Sequence, residues 1–373
     1  MKICLDLRTA GAAPHGIARY GIEMARALQS LGTSHRLVLL AGRGSDLDGL
    51  GQGDTSVVRC SPRPYSLEEQ LLIPFAVARL RPDIYHCPTY ACPLFMRVPS
   101  LFTIHDVLPL EYPQDFSIGL RLYHKSLVRW MTKRARRIVT DSSYTSSAIC
   151  RRFSVPPGKV RVIPLGGDHI GRQPVSGQDE ERYREINPGD LDYFLSIANP
   201  RPHKNILFAI RCLLGSETLR ERKVRYILVG QQHPSVHAYV KARDPEGRIR
   251  FAGEVSEGLL RRLYERAVAL LCPSRGEGFC LPAVEGMRMG LPVIAANDGA
   301  LPEVLGPAGR LLSLEDEGVW QEALEHIHAM KKQGDWDPSP VLERASRFTW
   351  ANAAVKTMEL YEEVYREKEG IRY

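Results

Sequence analysis

The stretch "AVALLCPSRGEGFCLPAVEGMRMGLPVIAAN", residues 267–297, contains two apolar runs separated by a segment of helical composition. The runs "AVALLCPS" and "LPVIAAN" have the length and apolar character of buried strands. The segment between them, "LPAVEGMRMG", carries Pro282 in its first turn, where a helix tolerates proline well. A strand, a helix and a second strand in this order predict a parallel βαβ unit.

The same alternation extends along the rest of the chain. Further strand-like runs are "KICLDL", "RLVLLAG", "DIYHC", "SLFTIHD", "RIVTDSS", "KVRVIPLG", "DYFLSIA", "VRYILVG" and "GRIRFAG". Residues 171–190 interrupt the rhythm, and their Gly, Pro and charge content predicts a linker. The fold prediction is α/β, with two doubly wound Rossmann-like domains, 1–170 and 191–351, facing a cleft. Ligands of such sheets bind at the carboxyl ends of the strands.

Composition narrows the class of function. A chain of 373 residues suits two domains, and a formal charge of +7 suits a protein that handles nucleotides, phosphates or acidic lipid surfaces. No aromatic-basic repeat, zinc finger or RNA-binding motif is present, so nucleic acid is not expected as a partner. The N-terminus lacks a signal-peptide pattern, and no run reaches ~18 apolar residues. We therefore expect a cytoplasmic protein, with at most peripheral contact at the inner face of a membrane.

Cysteines and acidic motifs give no sign of a metal site. Most of the eight cysteines lie in apolar, strand-like runs, as buried thiols in a reducing compartment do. Cys87 and Cys92 have C-x4-C spacing, but no second pair with zinc spacing follows. No Asp-x-Asp-like motif lies on the loops expected at the cleft. We therefore expect neither a metal nor a cofactor.

Two glutamates flank the start of the helix in the opening stretch. The unpaired N–H groups of a first helical turn bind anions, whereas Glu277 and Glu285 would repel a phosphate and instead accept hydrogen bonds from hydroxyl groups. A ligand with a phosphate flanked by hydroxylated rings fits both the helix start and the two glutamates. A nucleoside-diphosphate sugar is such a molecule. On spacing alone, a capping carboxylate at Glu277 and a solvated helix residue at Glu285 remain an equal alternative.

The segment "PSRGEGFCLPAVEGMRMGLPVIAANDGALPEVLG", residues 273–306, resembles the hallmark segment of the retaining glycosyltransferases of family four, which have the GT-B fold. Their E-x7-E signature places its two glutamates at Glu277 and Glu285. The resemblance covers nearly the whole chain: "HGIARY" resembles the family's first glycine loop, "TIHDVLPL" its HD-containing strand end, "NPRPHKN" its basic loop and "RFTWANAAVKTMELYEEVY" its closing helix. The last of these implies that residues 352–373 pack back on the first domain.

The resemblance implies a site residue by residue. The implied donor-binding residues are Gly16, Arg201, Lys204, Gly230, Val255, Glu277, Gly278, Phe279, Cys280, Leu281 and Glu285. The implied catalytic residues are His105, Arg201, Lys204 and Glu277. Glu285 would hold the ribose and Glu277 the sugar hydroxyls, while Lys204, Arg201 and the helix start near Leu281 would hold the diphosphate. Plain alternatives are a helix-start glycine at Gly16, a structural histidine at His105 and solvated cations at Arg201 and Lys204.

Three positions depart from the family pattern. Cys280 replaces a common glycine and Gly286 a common alanine, and His203 stands where relatives often carry arginine, which leaves Arg201 as the assigned arginine. A cysteine needs more room than glycine and prefers negative φ. Its side chain can point either at the sugar or into the core, so these departures bear on the sugar preference.

The resemblance implies a metal-independent, retaining transfer of a hexosyl unit, mannosyl in our best reading, from a GDP- or UDP-linked sugar to a glycan or lipid-linked glycan. Surface polysaccharide assembly, including lipopolysaccharide, is the implied setting. The basic segment 121–137 can lie on an anionic membrane, but its composition favours a solvated helix face. The alternatives to transfer are a nucleotide-sugar epimerase, a glycan phosphorylase with pyridoxal phosphate and a non-catalytic sugar-binding protein.

Overall fold

The chain forms two compact units. The computed structural model describes residues 1–10, 16–42, 45, 47, 49–62, 64, 66–89, 93 and 95–370. The first unit comprises Met1–Gly166 together with Thr349–Tyr373, and the second comprises Gly167–Phe348. The chain therefore passes from one unit to the other at residues 166–167 and again at residues 348–349.

Each unit contains one parallel sheet within the described residues. The first sheet has the order β3-β2-β1-β4-β5-β6-β7 and the second the order β10-β9-β8-β11-β12-β13. The strands are β1 Lys2–Leu7, β2 Arg36–Ala41, β3 Thr55–Arg59, β4 Ile84–Cys87, β5 Ser100–Thr103, β6 Arg137–Thr140, β7 Val160–Val162, β8 Tyr193–Ile197, β9 Arg225–Val229, β10 Ile249–Gly253, β11 Ala269–Cys272, β12 Val293–Ala296 and β13 Arg310–Leu312. Two doubly wound parallel sheets confirm the predicted α/β class.

Helices connect the strands. They are α1 Gly16–Ser30, α2 Glu69–Leu80, α3 Leu108–Glu111, α4 Ile118–Tyr123, α5 Arg129–Arg134, α6 Ser143–Phe153, α7 Gly177–Ile186, α8 Ile206–Gly215, α9 Glu217–Glu221, α10 Pro234–Arg243, α11 Glu257–Arg266, α12 Leu281–Arg288, α13 Leu301–Leu305, α14 Glu317–Gln333, α15 Ser339–Ser346 and α16 Trp350–Lys368. A π-helical turn, His124–Val128, joins α4 to α5. Within the described ranges, no helix combines the length and apolar composition that crossing a bilayer requires.

The central strands are apolar because both faces of each sheet are covered there. In the first sheet Cys4 and Leu5 of the central strand β1 are fully buried, as are Phe194 and Leu195 of β8 in the second. The seven described cysteines are free, and five of them are buried, as their apolar surroundings predicted. Cys92 lies outside the described residues.

The segment 171–190, predicted to be a linker, contains helix α7 and belongs to the second unit. Ser176 and Asp179 form a capping box at its start, and Tyr183 and Ile186 are buried. Its polar residues bind α11, where Asp179 accepts a hydrogen bond from Ser256. The segment resembled a linker because a surface helix that buries only two side chains has an almost entirely polar composition.

The C-terminal helix α16 is bonded into the first unit by buried polar groups. Tyr361 Oη lies 2.5 Å from His86 Nδ1, and His86 Nε2 lies 2.8 Å from Thr103 Oγ1. Tyr20 Oη of α1 completes the series at 3.1 Å from Thr103 Oγ1. Burial lowers the pKa of His86 to about 3, so its ring is neutral and can donate from one nitrogen while accepting at the other.

A glycine lets the first crossing segment pass close to the start of α16. A Cβ atom at Gly166 would lie 2.2 Å from the Trp350 nitrogen and 2.6 Å from its side chain. We expect Gly166→Ala to lower the free energy of unfolding by about 1–3 kcal/mol or more, because backbone must move to relieve the overlap. Thermal unfolding of the purified variants measures this.

Gly158→Ala is the matched control, since a Cβ atom there meets nothing within 4 Å. An equal melting temperature for Gly166→Ala and Gly158→Ala would contradict the close approach of Gly166 to Trp350.

Candidate functional site

Three loops at the carboxyl edge of the second sheet carry most of the predicted donor residues. The loop after β8 holds Arg201 and Lys204, the loop after β11 holds residues 275–280, and the loop after β12 holds Asp298. Because β8, β11 and β12 are neighbours in the sheet, these loops emerge side by side.

Lys204 and Glu277 form an ion pair between two of these loops. Lys204 Nζ lies 2.6 Å from Glu277 Oε1, and the side chains are only 16% and 9% exposed. Burial is the largest influence on the pKa of each group and disfavours its charged form. The charge of each partner, however, stabilises the charge of the other. The pKa of Lys204 is therefore raised, and the pKa of Glu277, which also accepts a hydrogen bond from Ser274, is lowered. Both groups are charged at neutral pH.

The loop after β12 supports the backbone of Glu277. A Cβ atom at Gly299, whose φ is +61°, would lie 2.7 Å from the Glu277 nitrogen and 2.9 Å from its carbonyl oxygen. The Ala300 N–H donates to that carbonyl at 3.0 Å, and Asp298 Oδ1 accepts from the Gly299 N–H at 2.6 Å. The sequence analysis missed this support, although an Asp-Gly dipeptide after a strand is a signal for such a turn.

Cys280 turns its thiol into the second unit. Its φ of +71° is left-handed, and its Sγ lies 3.8 Å from Sγ of Cys272 on β11. Cys280 is buried, and the contact of its thiol with Cys272 together with burial raises its pKa. Of the two orientations left open by the sequence, the structure has the one directed at the core.

Gly286, the departure within α12, also has a packing explanation, and the residues before the helix are buried. A Cβ atom at Gly286 would lie 3.0 Å from Leu270 Cδ2, so glycine lets the helix pack closely on β11. Phe279 is buried and packs in a T-shaped arrangement with Phe348, with ring centroids 5.7 Å apart. Gly278, which precedes it, is buried in the same loop.

The carboxylate of Glu285 is held by two partners inside the second unit. Tyr264 Oη donates to Oε2 at 2.8 Å, and His169 Nε2 lies 2.9 Å from Oε1. Burial first, and then the Glu285 charge, raises the pKa of Tyr264, so its hydroxyl stays protonated and donates. Glu285 is 4% exposed, which excludes the solvated helix residue that the spacing had left open. Neither partner was identified from the sequence.

The remaining predicted donor residues of the second unit lie on neighbouring loops. Arg201 is exposed, and its carbonyl accepts the Lys204 N–H at 3.0 Å. A Cβ atom at Gly230, after β9, would lie 2.2 Å from the Ala198 carbonyl oxygen, so glycine permits a close approach to the end of β8. Val255 follows β10 and is half-buried.

His105 lies at the carboxyl edge of the first sheet. Its Nδ1 is 2.6 Å from Asp141 Oδ2, its Nε2 is 3.1 Å from the Pro88 carbonyl oxygen, and the side chain is 15% exposed. Burial opposes the charged ring, but Asp141 and the Pro88 carbonyl outweigh it and raise the pKa of His105. With an acceptor at each nitrogen, a protonated ring donates twice and offers no acceptor to a hydroxyl proton.

Two further residues lie on loops beside His105. Asp106 Oδ1 accepts the N–H of Leu108, the first residue of α3, at 3.0 Å. Gly16 begins α1 and is exposed. Residues 11–15, the rest of the predicted glycine loop, lie outside the described residues. Among the described residues, no three His, Cys, Asp or Glu side chains are grouped closely enough to hold a metal ion.

The first testable consequence is the titration of His105. Its imidazolium is stabilised in the folded protein, so the stability it contributes is complete below its ordinary pKa and is lost as pH rises through the raised pKa. We expect the ring to titrate above its ordinary pKa in NMR spectra, and Asp141→Asn to lower that pKa. A ring that titrates at its ordinary pKa, or is indifferent to Asp141→Asn, would contradict the charged pair.

The second consequence is coupling between Lys204 and Glu277. Removing one partner leaves a buried charge, so Glu277→Ala or Lys204→Met alone should cost about 3–5 kcal/mol of stability. The double variant should lose clearly less than the sum of the two, because no uncompensated charge remains. Urea unfolding of the four proteins measures this cycle, and strict additivity would show that the pair does not form.

The two parallel-sheet α/β units have the fold of GT-B glycosyltransferase structures. Residues 14–169 match the sequence model of Glycosyltransferase Family 4, and residues 177–341 match that of Glycosyl transferases group 1. The two matches cover most of the chain and identify it as a glycosyltransferase.

Individual proteins agree with this class. The chain is 28% identical to O-antigen chain mannosyltransferase B of Escherichia coli, over 93% of this chain and 95% of that protein. It is 24% identical to O-antigen chain mannosyltransferase RfbU of Salmonella typhimurium, over 87% and 91%. The crystal structure of Anabaena HepE in complex with UDP-glucose shares the fold, with a TM-score of 0.73 and 19% identity over 97% of this chain and all of that one.

Proposed function

We propose that this glycosyltransferase moves a hexosyl unit, mannose in the first instance, from a GDP- or UDP-linked sugar to a hydroxyl of a glycan or lipid-linked glycan in surface polysaccharide assembly. The observation that carries the proposal is the Lys204–Glu277 ion pair, which places a cation and a hydroxyl acceptor together at the strand ends. The mannosyltransferase names of two relatives support the choice of sugar and of pathway. The UDP-glucose held by HepE supports a nucleotide sugar as donor.

In this proposal Lys204 stabilises the leaving diphosphate. Its ammonium has three N–H donors, of which one binds Glu277, so the others can reach phosphate oxygens. The charge is already in place as negative charge develops on the departing phosphate, and Arg201 adds a second cation. In the first turn of α12, Pro282 has no N–H, and the Ala283 N–H already donates to the Cys280 carbonyl at 3.0 Å. We therefore assign the Leu281 N–H to the phosphate.

The two glutamates take the hydroxylated ends of the donor. A carboxylate has about four acceptor sites, so Glu277 can bind Lys204 and still accept from hydroxyls of the sugar. We assign the ribose hydroxyls to the Glu285 carboxylate, one oxygen of which accepts a hydrogen bond from Tyr264 while the other contacts His169. We propose retention of the anomeric configuration, with the leaving phosphate taking the proton of the acceptor hydroxyl. This route requires neither a protein base nor a metal. It agrees with His105, whose protonated ring donates from both nitrogens and so cannot act as a base.

A donor screen tests the proposal. GDP, UDP, ADP and their sugars are added singly in thermal-shift measurements, and a ligand at about 100 times its dissociation constant should stabilise by about 2.7 kcal/mol. The donor found is then incubated with glycan acceptors, and NMR of the product reads the anomeric configuration. Conversion of the donor without an acceptor would indicate an epimerase, and an inverted product would exclude retention.

Lys204→Ala should slow transfer by a factor of about 10²–10³, because a preorganised charge on the developing phosphate is lost. Binding of the nucleoside monophosphate should change much less, since the outer phosphate is absent there. Lys241→Ala, which removes an exposed lysine of α10, is the matched control. Equal effects of the two variants on turnover would contradict the role of Lys204, and a strict requirement for added magnesium or manganese would overturn the metal-free mechanism.

A further inference from the structure

Two thiols at the candidate site have no role in the proposed transfer. Cys272 is the last residue of β11, and Cys280 directly precedes α12. Both are free and buried, and the Cys280 thiol donates to Cys272 Sγ at 3.8 Å. The sulfurs of a disulfide are about 2.0 Å apart, so a movement of about 1.8 Å would bring these two to bonding distance.

The backbone of Cys280 is strained in a way that its side chain must offset. Its φ of +71° lies in the left-handed region, which costs free energy for a residue with a Cβ atom but not for glycine. The thiol contact with Cys272 is the interaction that a glycine at this position would lack. Strained residues of this kind occur at functional sites more often than elsewhere.

A bond between the two sulfurs would move Cys280 rather than Cys272. Cys272 pairs with Ala295 of β12, and β8 lies on the other side of β11, so the sheet holds this residue from both sides. Cys280 lies outside the sheet, at the start of a helix. Leu281 follows it directly and Glu277 precedes it by three residues, so both would be displaced with it.

We propose that Cys272 and Cys280 form a dithiol that a hydroperoxide oxidises to a disulfide, and that the disulfide displaces the start of α12 and weakens donor binding. A thiol reductant reverses the change. Formation of the disulfide does not depend on the proposed function, whereas its effect on donor binding rests on the assignment of Leu281 and Glu277 to the donor.

The reaction with hydrogen peroxide balances without a further reactant. The Cys280 thiolate attacks one peroxide oxygen, the O–O bond breaks, and the departing hydroxide takes up the proton that the thiol had lost. Cys280 is then a sulfenic acid. Cys272 Sγ attacks its sulfur, the S–O bond breaks, and hydroxide leaves as water with the Cys272 proton. The two thiols have lost two electrons, and the peroxide has become two water molecules.

The charge state of Cys280 determines how fast this occurs. Its contact with Cys272, burial and the Glu277 charge raise its pKa, and the ammonium of Lys204 only partly opposes them. The thiol therefore predominates at neutral pH, while the thiolate is the form that reacts. We expect slow oxidation at neutral pH and faster oxidation as the pH rises.

Peptide mapping detects the bond directly in the full-length protein. Reduced wild type is treated with hydrogen peroxide at neutral and at alkaline pH, the remaining thiols are alkylated, and the protein is digested with trypsin. Arg275 lies between the two cysteines, so cleavage separates residues 267–275 from residues 276–288. A disulfide keeps these two peptides together. We expect the linked pair in oxidised wild type, in larger amount at alkaline pH, and its loss on treatment with dithiothreitol.

Two measurements follow the consequence of the bond. Amide hydrogen exchange in residues 276–288 should be faster in oxidised than in reduced wild type, because the first turn of α12 is displaced. Calorimetry with GDP-mannose and UDP-glucose should show that oxidation weakens, by about tenfold or more, the affinity for whichever of them the reduced protein binds, since a hydrogen bond to a charged phosphate is lost.

Three variants separate the pair from other thiols. Peroxide should leave the donor affinity of Cys272→Ala unchanged, because no second thiol is available to Cys280. Cys280→Gly suits the left-handed backbone and is the second variant without the pair, and its affinity should likewise not respond to peroxide. The matched control is Cys212→Ala, which removes a buried cysteine of α8 in the same unit and should remain as sensitive as wild type.

The inference is overturned if oxidised wild type gives no linked peptides at alkaline pH. It is also overturned if the linked protein exchanges its amides and binds donor like the reduced protein, or if peroxide weakens Cys272→Ala as much as wild type. If reduced wild type binds neither nucleotide sugar, the proposed donors are wrong, and the linked peptides and the amide exchange still decide whether the disulfide forms and displaces α12.

Discussion

The second unit depends on a buried ion pair between loops that are far apart in the sequence. Lys204 and Glu277 are 73 residues apart, and they meet because β8 and β11 are neighbours in the sheet. Desolvating two charges is costly, and their close contact, together with the added hydrogen bond from Ser274, offsets that cost. The loop after β12 must therefore hold the Glu277 backbone firmly, which explains why Gly299 leaves no room for a side chain.

Helix α12 is fixed by a comparable set of constraints. Glu285 binds Tyr264 and His169, so rotating the helix would strand a buried carboxylate. Gly286 lets the helix press on β11, and Cys280 begins it with a left-handed residue whose thiol faces the core. These features hold the start of α12, at Leu281, next to the loop that carries Glu277.

Two histidines of the first unit, His86 and His105, have pKa values shifted in opposite directions. His86 is neutral because it is buried beside uncharged hydroxyls, whereas His105 is stabilised as a cation by Asp141. One ring bonds the last helix into the unit, and the other holds the carboxyl edge of the sheet. Neither ring is suited to take a proton from an acceptor hydroxyl, so the mechanism we propose relies on electrostatic stabilisation of the leaving group.

The sequence alone determined the two parallel sheets and the glycosyltransferase class. Buried parallel strands must be continuous apolar runs, and the E-x7-E spacing around a helix start is a local property of one βαβ unit. The sequence pattern wrongly predicted a linker at residues 171–190, because a polar surface helix and a linker have similar compositions. It also could not distinguish the exposed leucines of α2 from core residues, since exposure depends on what packs against a helix. The partners of Glu285 and Lys204 were decided only by the tertiary structure, because strand order, which no local pattern encodes, determines which distant loops meet.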